Sequence, residues 1–309
     1  MTIKTSRQVK DLVKNLSAKT GIKHHVLLKK YMMERFLERV SQSEYQQNFI
    51  LKGGMLISSF VGIADRTTMD MDTTIKGLPV NAEDMEKVFK EISDIDIKDN
   101  VKFKIKRISG IMNEEKYPGI RFYAEALMDE TVVPLVFDIS TGDVITPKEI
   151  NYPYKLMFEE KKIPIMSYPL ETVLAEKLEA VISKGLKNTR TRDFYDIHLL
   201  LQSQKIDEDV LALAIKRTVN KRGDTTILEN MEKLLSKIEK SKEMKDLWTA
   251  YQTKFEYAQK YNWETVLHSV RKLCLKAKLN VRESSALEKP KVNLKPKTTK
   301  NTKDRELER

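Results

Sequence analysis

The chain has 309 residues, 40% of them apolar, with ten Phe, eleven Tyr and two Trp, enough for at least one sizeable core and too many for a wholly disordered polymer. Its formal charge of +11 divides into +5 from residues 289–309 (eight Lys/Arg, three Asp/Glu) and +6 (11 − 5) from the body, which suits a nucleic-acid or nucleotide partner and equally an ordinary charged surface. No stretch approaches eighteen consecutive apolar residues and Cys274 is the lone cysteine, so a transmembrane helix, an internal disulfide framework and a zinc site of several thiolates are excluded.

The first residues, Met1 to Arg7, enter a charged helical pattern with no apolar segment, so no secretory leader is expected and a cytoplasmic protein fits best. Residues 6–20 and 23–42 read as amphipathic helices separated by Gly21; Val26, Leu27, Met33, Phe36, Leu37 and Val40 recur at helical spacing in the second. Phe49-Ile50-Leu51 is a short strand, Gly53-Gly54 a turn, and Met55 to Val61 a helix. Met69 to Ile75 alternates as a second strand, and Asn81 to Ile95 reads as a helix with an acidic first turn. Alternation over 101–106 and 120–127 and the apolar run Thr131 to Ser140 predict an antiparallel or mixed sheet. From Pro169 to about Leu279 the pattern is helical throughout. Strands followed by helices predict an α+β protein, divided into N-terminal helices (1–45), an α/β core (46–168), a helical domain (169–285) and a disordered basic tail (286–309).

The sharpest local signal is Asp70-Met71-Asp72. On a strand, residues i and i+2 share a face, and two carboxylates side by side repel unless a cation lies between them. A divalent metal with oxygen ligands suits the pair; solvated acids on an edge strand are the plainer reading. Gly53-Gly54 precedes a helix, where bare amides and the helix dipole can hold phosphate, although a glycine pair can equally just turn the chain. Lys52 adjoins it, and no Walker-type loop is present. Asp138 ends an apolar strand, and three acids on neighbouring strands can bind metal and activate a hydroxyl for in-line attack on an α-phosphate. Lys177 sits beside the stripe Val173, Leu174, Leu178 and Val181, where it can snorkel to solvent or reach a phosphate. Asp193 and Asp196 share one helix side, with Arg190 and Arg192 near enough to neutralise them. His24, His25, His198 and His268 form no zinc-hydrolase pattern; His198 reads as a core or surface histidine and Cys274 as a buried small hydrophobe.

The ordered blocks Phe49 to Gly54, Arg66-x-Thr68-x-Asp70-x-Asp72, Glu176 to Val181 and Thr189 to Ile197 together resemble the AbiEii/AbiGii nucleotidyltransferase toxins of abortive-infection, type IV toxin–antitoxin systems. The resemblance spans roughly residues 49–200 and departs at Met55, where the family commonly carries a small hydroxyl residue. It implies a polymerase-β-like nucleotidyltransferase fold with a mixed sheet and a helical C-terminal domain. It also implies a nucleoside triphosphate donor, an acceptor that is RNA (transfer RNA for some relatives), a separate antitoxin protein and a role in phage defence. The implied site has Asp70, Asp72 and Asp138 on magnesium or manganese, with Asp138 alternatively the base. Lys52, Gly53, Gly54 and Arg66 lie toward the triphosphate, Arg66 alternatively being structural. Lys177 serves as phosphate cation, and Asp193 orients Lys177 or the acceptor. The rival readings are a nucleotide- or RNA-binding module of the same fold without catalysis, and a helical RNA-binding protein with incidental acids.

Overall fold

The computed structural model describes residues 3–111, 119–223 and 226–282, so the expected basic tail lies outside the described residues. Two helices lead, α1 (Ser6–Thr20) and α2 (His24–Gln42). Thr5 and Gln8 form a reciprocal capping box at the start of α1, and Gly21 closes that helix in the left-handed conformation at φ +74°. The strands are β1 (Phe49–Lys52), β2 (Met71–Ile75), β3 (Lys102–Ile111), β4 (Gly119–Met128), β5 (Thr131–Thr141), β6 (Ile150–Lys155) and β7 (Lys162–Ser167). Between the first three run α3 (Gly53–Val61) and α4 (Ala82–Ser93), the latter capped by the Asn81 side chain. The helical region comprises α5 (Leu170–Lys184), α6 (Arg192–Ser203), α7 (Glu208–Arg222), α8 (Thr226–Glu229), α9 (Met231–Lys240), α10 (Lys242–Lys254) and α11 (Trp263–Lys276).

The seven strands form one mixed sheet in the order β3-β4-β5-β2-β1-β7-β6, with β2–β5 and β1–β7 parallel and the other pairs antiparallel. The expected α+β class with a mixed sheet is thus the observed one. Strands β6 and β7 were not anticipated: Pro153 and Pro164, themselves register partners, and flanking lysines interrupt the alternation that marks a strand.

Helices α2 and α4 lie on the apolar face of the sheet. There Phe36 stacks on Phe89 with ring centroids 4.6 Å apart, and Phe103, Phe122 and Phe137 complete the cluster. Behind β1 and β2, α3 contacts both strands and α6, and α5, α7 and α11 continue the helical layer. Among the described residues, buried apolar side chains form one contiguous core from Ile3 to Val281. The core takes up Cys274, whose thiol burial pushes up to about 12. It also takes up His198, which bonds Ser269 through Nδ1 at 2.7 Å and which burial pushes down to about 4. Cys274 is thus the expected buried small hydrophobe, and His198 takes the core rather than the surface alternative.

Candidate active site at the β1–β2–β5 junction

Register assembles the acids. Lys52 on β1 faces Asp72 on β2, and Asp72 faces Asp138 on β5. Directly opposite residues of neighbouring strands project from the same face, so this row lies on one side of the sheet. Strand β2 begins at Met71, not Met69, so Asp70 reaches in from the preceding loop. The Thr68 hydroxyl fixes it by donating to Asp70 Oδ1 at 2.7 Å. The ligand atoms of Asp70, Asp72 and Asp138 all lie within 4.8 Å of one another.

The electrostatics of Asp72 follow from that crowding. Burial first, and then the neighbouring Asp70 charge, push its carboxyl up to about 6. Three close carboxylates, all oxygen donors, fit a hard divalent cation such as magnesium, whose metal–oxygen distance of about 2.1 Å draws such groups together. Asp138 meanwhile has a counter-ion: Arg121, its register partner on β4, donates Nε to Oδ1 and Nη2 to Oδ2, both at 2.6 Å. Arg121 lies outside the expected site, and the β4–β5 register is what brings it to Asp138.

The two glycines are not a separate turn. They begin α3 itself, whose first amides have no intrahelical partner, so the positive end of the helix opens beside the acids. Gly53 adopts φ +65°, and a Cβ there would stand 2.6 Å from Asp72 Cγ. A Cβ on Gly54 would stand 2.6 Å from Thr68 Oγ1. The pair therefore serves close approach of the 66–72 segment, which neither the turn reading nor the phosphate reading contains. The Gly54 amide donates to Asp72 Oδ2 at 3.4 Å.

Lys52 bonds Asp143 at 2.6 Å. Burial opposes its ammonium, but Glu176 and Asp143 outweigh that and raise its pKa. The Asp143 carboxyl, despite burial, is drawn down to about 2, chiefly by Lys52 and with help from the Thr74 and Ser140 hydroxyls. Glu176 is held above the usual carboxylate range by burial. Asp143 and Glu176 were absent from the expected site; their nearness to Lys52 is a tertiary fact without a local signal. Lys29 on α2 also feels the Asp70 charge, although burial leaves its pKa below the ordinary lysine value.

The later motifs form a second cluster next to the glycines. Arg66, 1% exposed, donates Nε to Asp196 Oδ1 at 2.7 Å, and also bonds the Thr67 carbonyl. Lys177 bridges Asp193 at 2.6 Å and Asp196 at 3.0 Å. Its side chain is 13% exposed, so it does not snorkel to solvent. Of the two roles expected for Arg66, its burial and its pair with Asp196 suit the structural one. Arg190 approaches Asp193 only at 3.4 Å and Arg192 lies over Phe255, so the acids are neutralised by Lys177 and Arg66 rather than within their own helix. Arg66 and Lys177 outweigh burial and draw Asp196 down to about 2. This network ties α5 and α6 to the segment that presents Asp70 and Asp72.

Comparison with known proteins gives one family match. The family model for the nucleotidyl transferase AbiEii toxin of type IV toxin–antitoxin systems matches residues 35–269. No curated protein matches significantly. Among solved structures, a candidate nucleotidyltransferase from Helicobacter pylori is 16% identical, covering 83% of this chain and 98% of its own, with a TM-score of 0.47. The JHP933 protein of the same organism is 16% identical over 83% and 95%, with a TM-score of 0.48. An antigenic nucleotidyltransferase-like protein from Paracoccidioides brasiliensis is 13% identical over 62% and 89%, with a TM-score of 0.36.

Proposed function

We propose that this chain, which belongs to the nucleotidyl transferase AbiEii toxin family of type IV toxin–antitoxin systems, moves a nucleotide from a nucleoside triphosphate to RNA, transfer RNA in particular. The reading extends to a magnesium or manganese cofactor, a cytoplasmic site of action in phage defence, and restraint by a separate antitoxin protein. The observation that carries it is the convergence of Asp70, Asp72 and Asp138 within 4.8 Å beside the open end of α3.

Asp70 and Asp72 would hold the cation, and Asp138 would complete its shell or accept the proton of the attacking hydroxyl. Bound there, a divalent cation supplies charge neutralisation at the phosphates and a lowered hydroxyl pKa. Preorganised charge and position account for most phosphoryl-transfer catalysis, and the protein's own residues contribute both. The first amides of α3, at Gly53 and Gly54, cradle phosphate, and Lys52, held by Asp143, places a cation at the same end of β1. Lys177 would have to leave Asp193 and Asp196 to meet a phosphate, so its contacts favour a positioning role shared with Asp193. Through Arg66, that network fixes the loop from which Asp70 projects.

The test is incubation with each radiolabelled nucleoside triphosphate, magnesium and total bacterial RNA, with and without chelator. Label should enter RNA only with free divalent cation and not with Asp72→Ala. No transfer from any triphosphate would sink the catalytic reading. One observation favours the non-catalytic module instead: Arg121 already neutralises Asp138. That rival predicts nucleotide or RNA binding without turnover.

A further inference from the structure

We propose that the open face of β3–β4–β5, adjoining Asp138, seats the phosphodiester backbone of the acceptor RNA, with Arg107 and Arg121 as its phosphate ligands and Tyr123 as the platform that aims them; this rests on the RNA-acceptor reading above.

Strand register lays out the row. Arg121 on β4 faces Asp138, and Tyr123, two residues on, faces Arg107 on β3. A bulge between Ile105 and Arg107 shifts the pairing so that Lys104 opposite Glu125 and Arg107 opposite Tyr123 fall on one face. A row of side chains thus leaves the acid cluster and crosses to the edge of the sheet. Alternation sends the intervening residues, Phe122 and Ala124, to the buried side under α2 and α4, so Arg121 and Tyr123 stand on the open side, where β5 adds Val136, Pro134 and Val132. It is open: the Arg121 side chain is 39% exposed and Lys104 and Arg107 on the edge strand are exposed as well.

The row is also organised. The Arg107 guanidinium lies 4.1 Å from the Tyr123 ring centroid. Stacking on a ring occupies a guanidinium's face and leaves its N–H edge free for bidentate contact with phosphate. Hydrogen bonding from Arg121 first, and from Arg107 as well, pulls the Tyr123 phenol below its ordinary value. The ring thus carries Arg107, and Arg121 stands two residues along the same strand face. With about 3.3 Å per residue along a strand and about 4.8 Å between strands, the two arginines attach roughly 8 Å apart, within reach of successive phosphates for such long side chains. A phosphodiester chain on this track ends beside Asp138, where the attacking hydroxyl must stand. Asp138, once engaged on a cation, would release Arg121 from its ion pair to face the acceptor.

The probe is fluorescently labelled bulk bacterial transfer RNA, its affinity measured across a potassium chloride series for the wild type, Arg107→Gln, Tyr123→Leu and Lys104→Gln. Lys216→Gln, an exposed lysine on α7, is the charge-matched control. Arg107→Gln and Tyr123→Leu should each weaken binding roughly tenfold, the scale of one charged hydrogen bond. Arg107→Gln should lower the salt-dependence slope by about 0.7. The control should match the wild type, and melts should coincide; if Tyr123→Leu melts early, Lys104→Gln tests the row beside Arg107→Gln. RNA binding by the wild type with equal affinity in the row variants would overturn this surface and leave the RNA reading intact. Failure of the wild type to bind RNA would overturn both. Weakened nucleoside triphosphate binding with unchanged RNA binding would assign the row to the donor and overturn the proposal.

Discussion

Gly53→Ala should separate the position of Asp72 from the integrity of the fold. Two costs arise. At φ +65° an L-residue sits in the left-handed region, worth about 1–2 kcal/mol. The added Cβ would stand 2.6 Å from Asp72 Cγ and 2.8 Å from its Cβ, while apolar contacts settle at about 3.5–4.0 Å. Relieving that overlap moves the Asp72 carboxylate by roughly 1 Å, and overpacking of this kind costs about 1–3 kcal/mol. Together these give about 2–5 kcal/mol, or a Tm lower by roughly 4–10 °C for a chain of this size. A misplacement of about 1 Å at a reacting centre costs about 10² in rate, so single-turnover nucleotide transfer should fall by that factor while the protein still folds. Gly21→Ala is the matched control. Its φ is +74°, and its Cβ would meet only Glu256 Oε2 at 3.8 Å, an ordinary contact. It should show the strain alone, with transfer unchanged. Wild-type transfer by Gly53→Ala, with a melt no lower than that of Gly21→Ala, would refute the close approach of Asp72 to the start of α3.

Expression of the wild type should arrest bacterial growth and Asp72→Ala should not; equal toxicity would remove the case for the acid cluster. The Asp72 carboxyl, at about 6 against an ordinary 3.8, favours the folded state when protonated, so its contribution is present at low pH and is lost as pH rises through about 6. Metal-free Asp72→Asn should therefore melt above the wild type at pH 8, with the gap closing toward pH 5; coincident melts at pH 8 would contradict the crowding of like charges. Lys177→Met leaves Asp193 with only the 3.4 Å contact of Arg190 and strips Asp196 of one of its two cations. Breaking a buried pair from one side costs about 3–5 kcal/mol, so this variant should melt well below the wild type, and an unchanged melt would dissolve the network. Removal of residues 289–309 should leave cooperative unfolding intact, since the described core ends at Val281; a broadened transition would show otherwise.

Hydrophobic periodicity alone determined much of this protein. The stripe over 23–42 is helix α2, alternation over 101–106 leads into β3 and that over 120–127 falls within β4, and the acidic start after Asn81 is a capped helix. Such patterns are local, because a side chain's face repeats every 3.6 or 2 residues whatever the remote chain does. Apolar neighbours likewise marked Cys274 as a buried small hydrophobe, which it is. What periodicity cannot carry is partnership between distant residues. That β7 slots in parallel beside β1, that Arg121 claims Asp138 and Asp143 claims Lys52, and that Lys177 serves two acids rather than solvent all depend on strand register and helix docking. Arg66 shows the difference most sharply: the resemblance leaves it phosphate-facing or structural, and only the tertiary fold pairs it with Asp196, 130 residues away. A charge takes its role from the dielectric and the counter-ions around it, and in this protein those arrive only when the helical layer closes over the sheet.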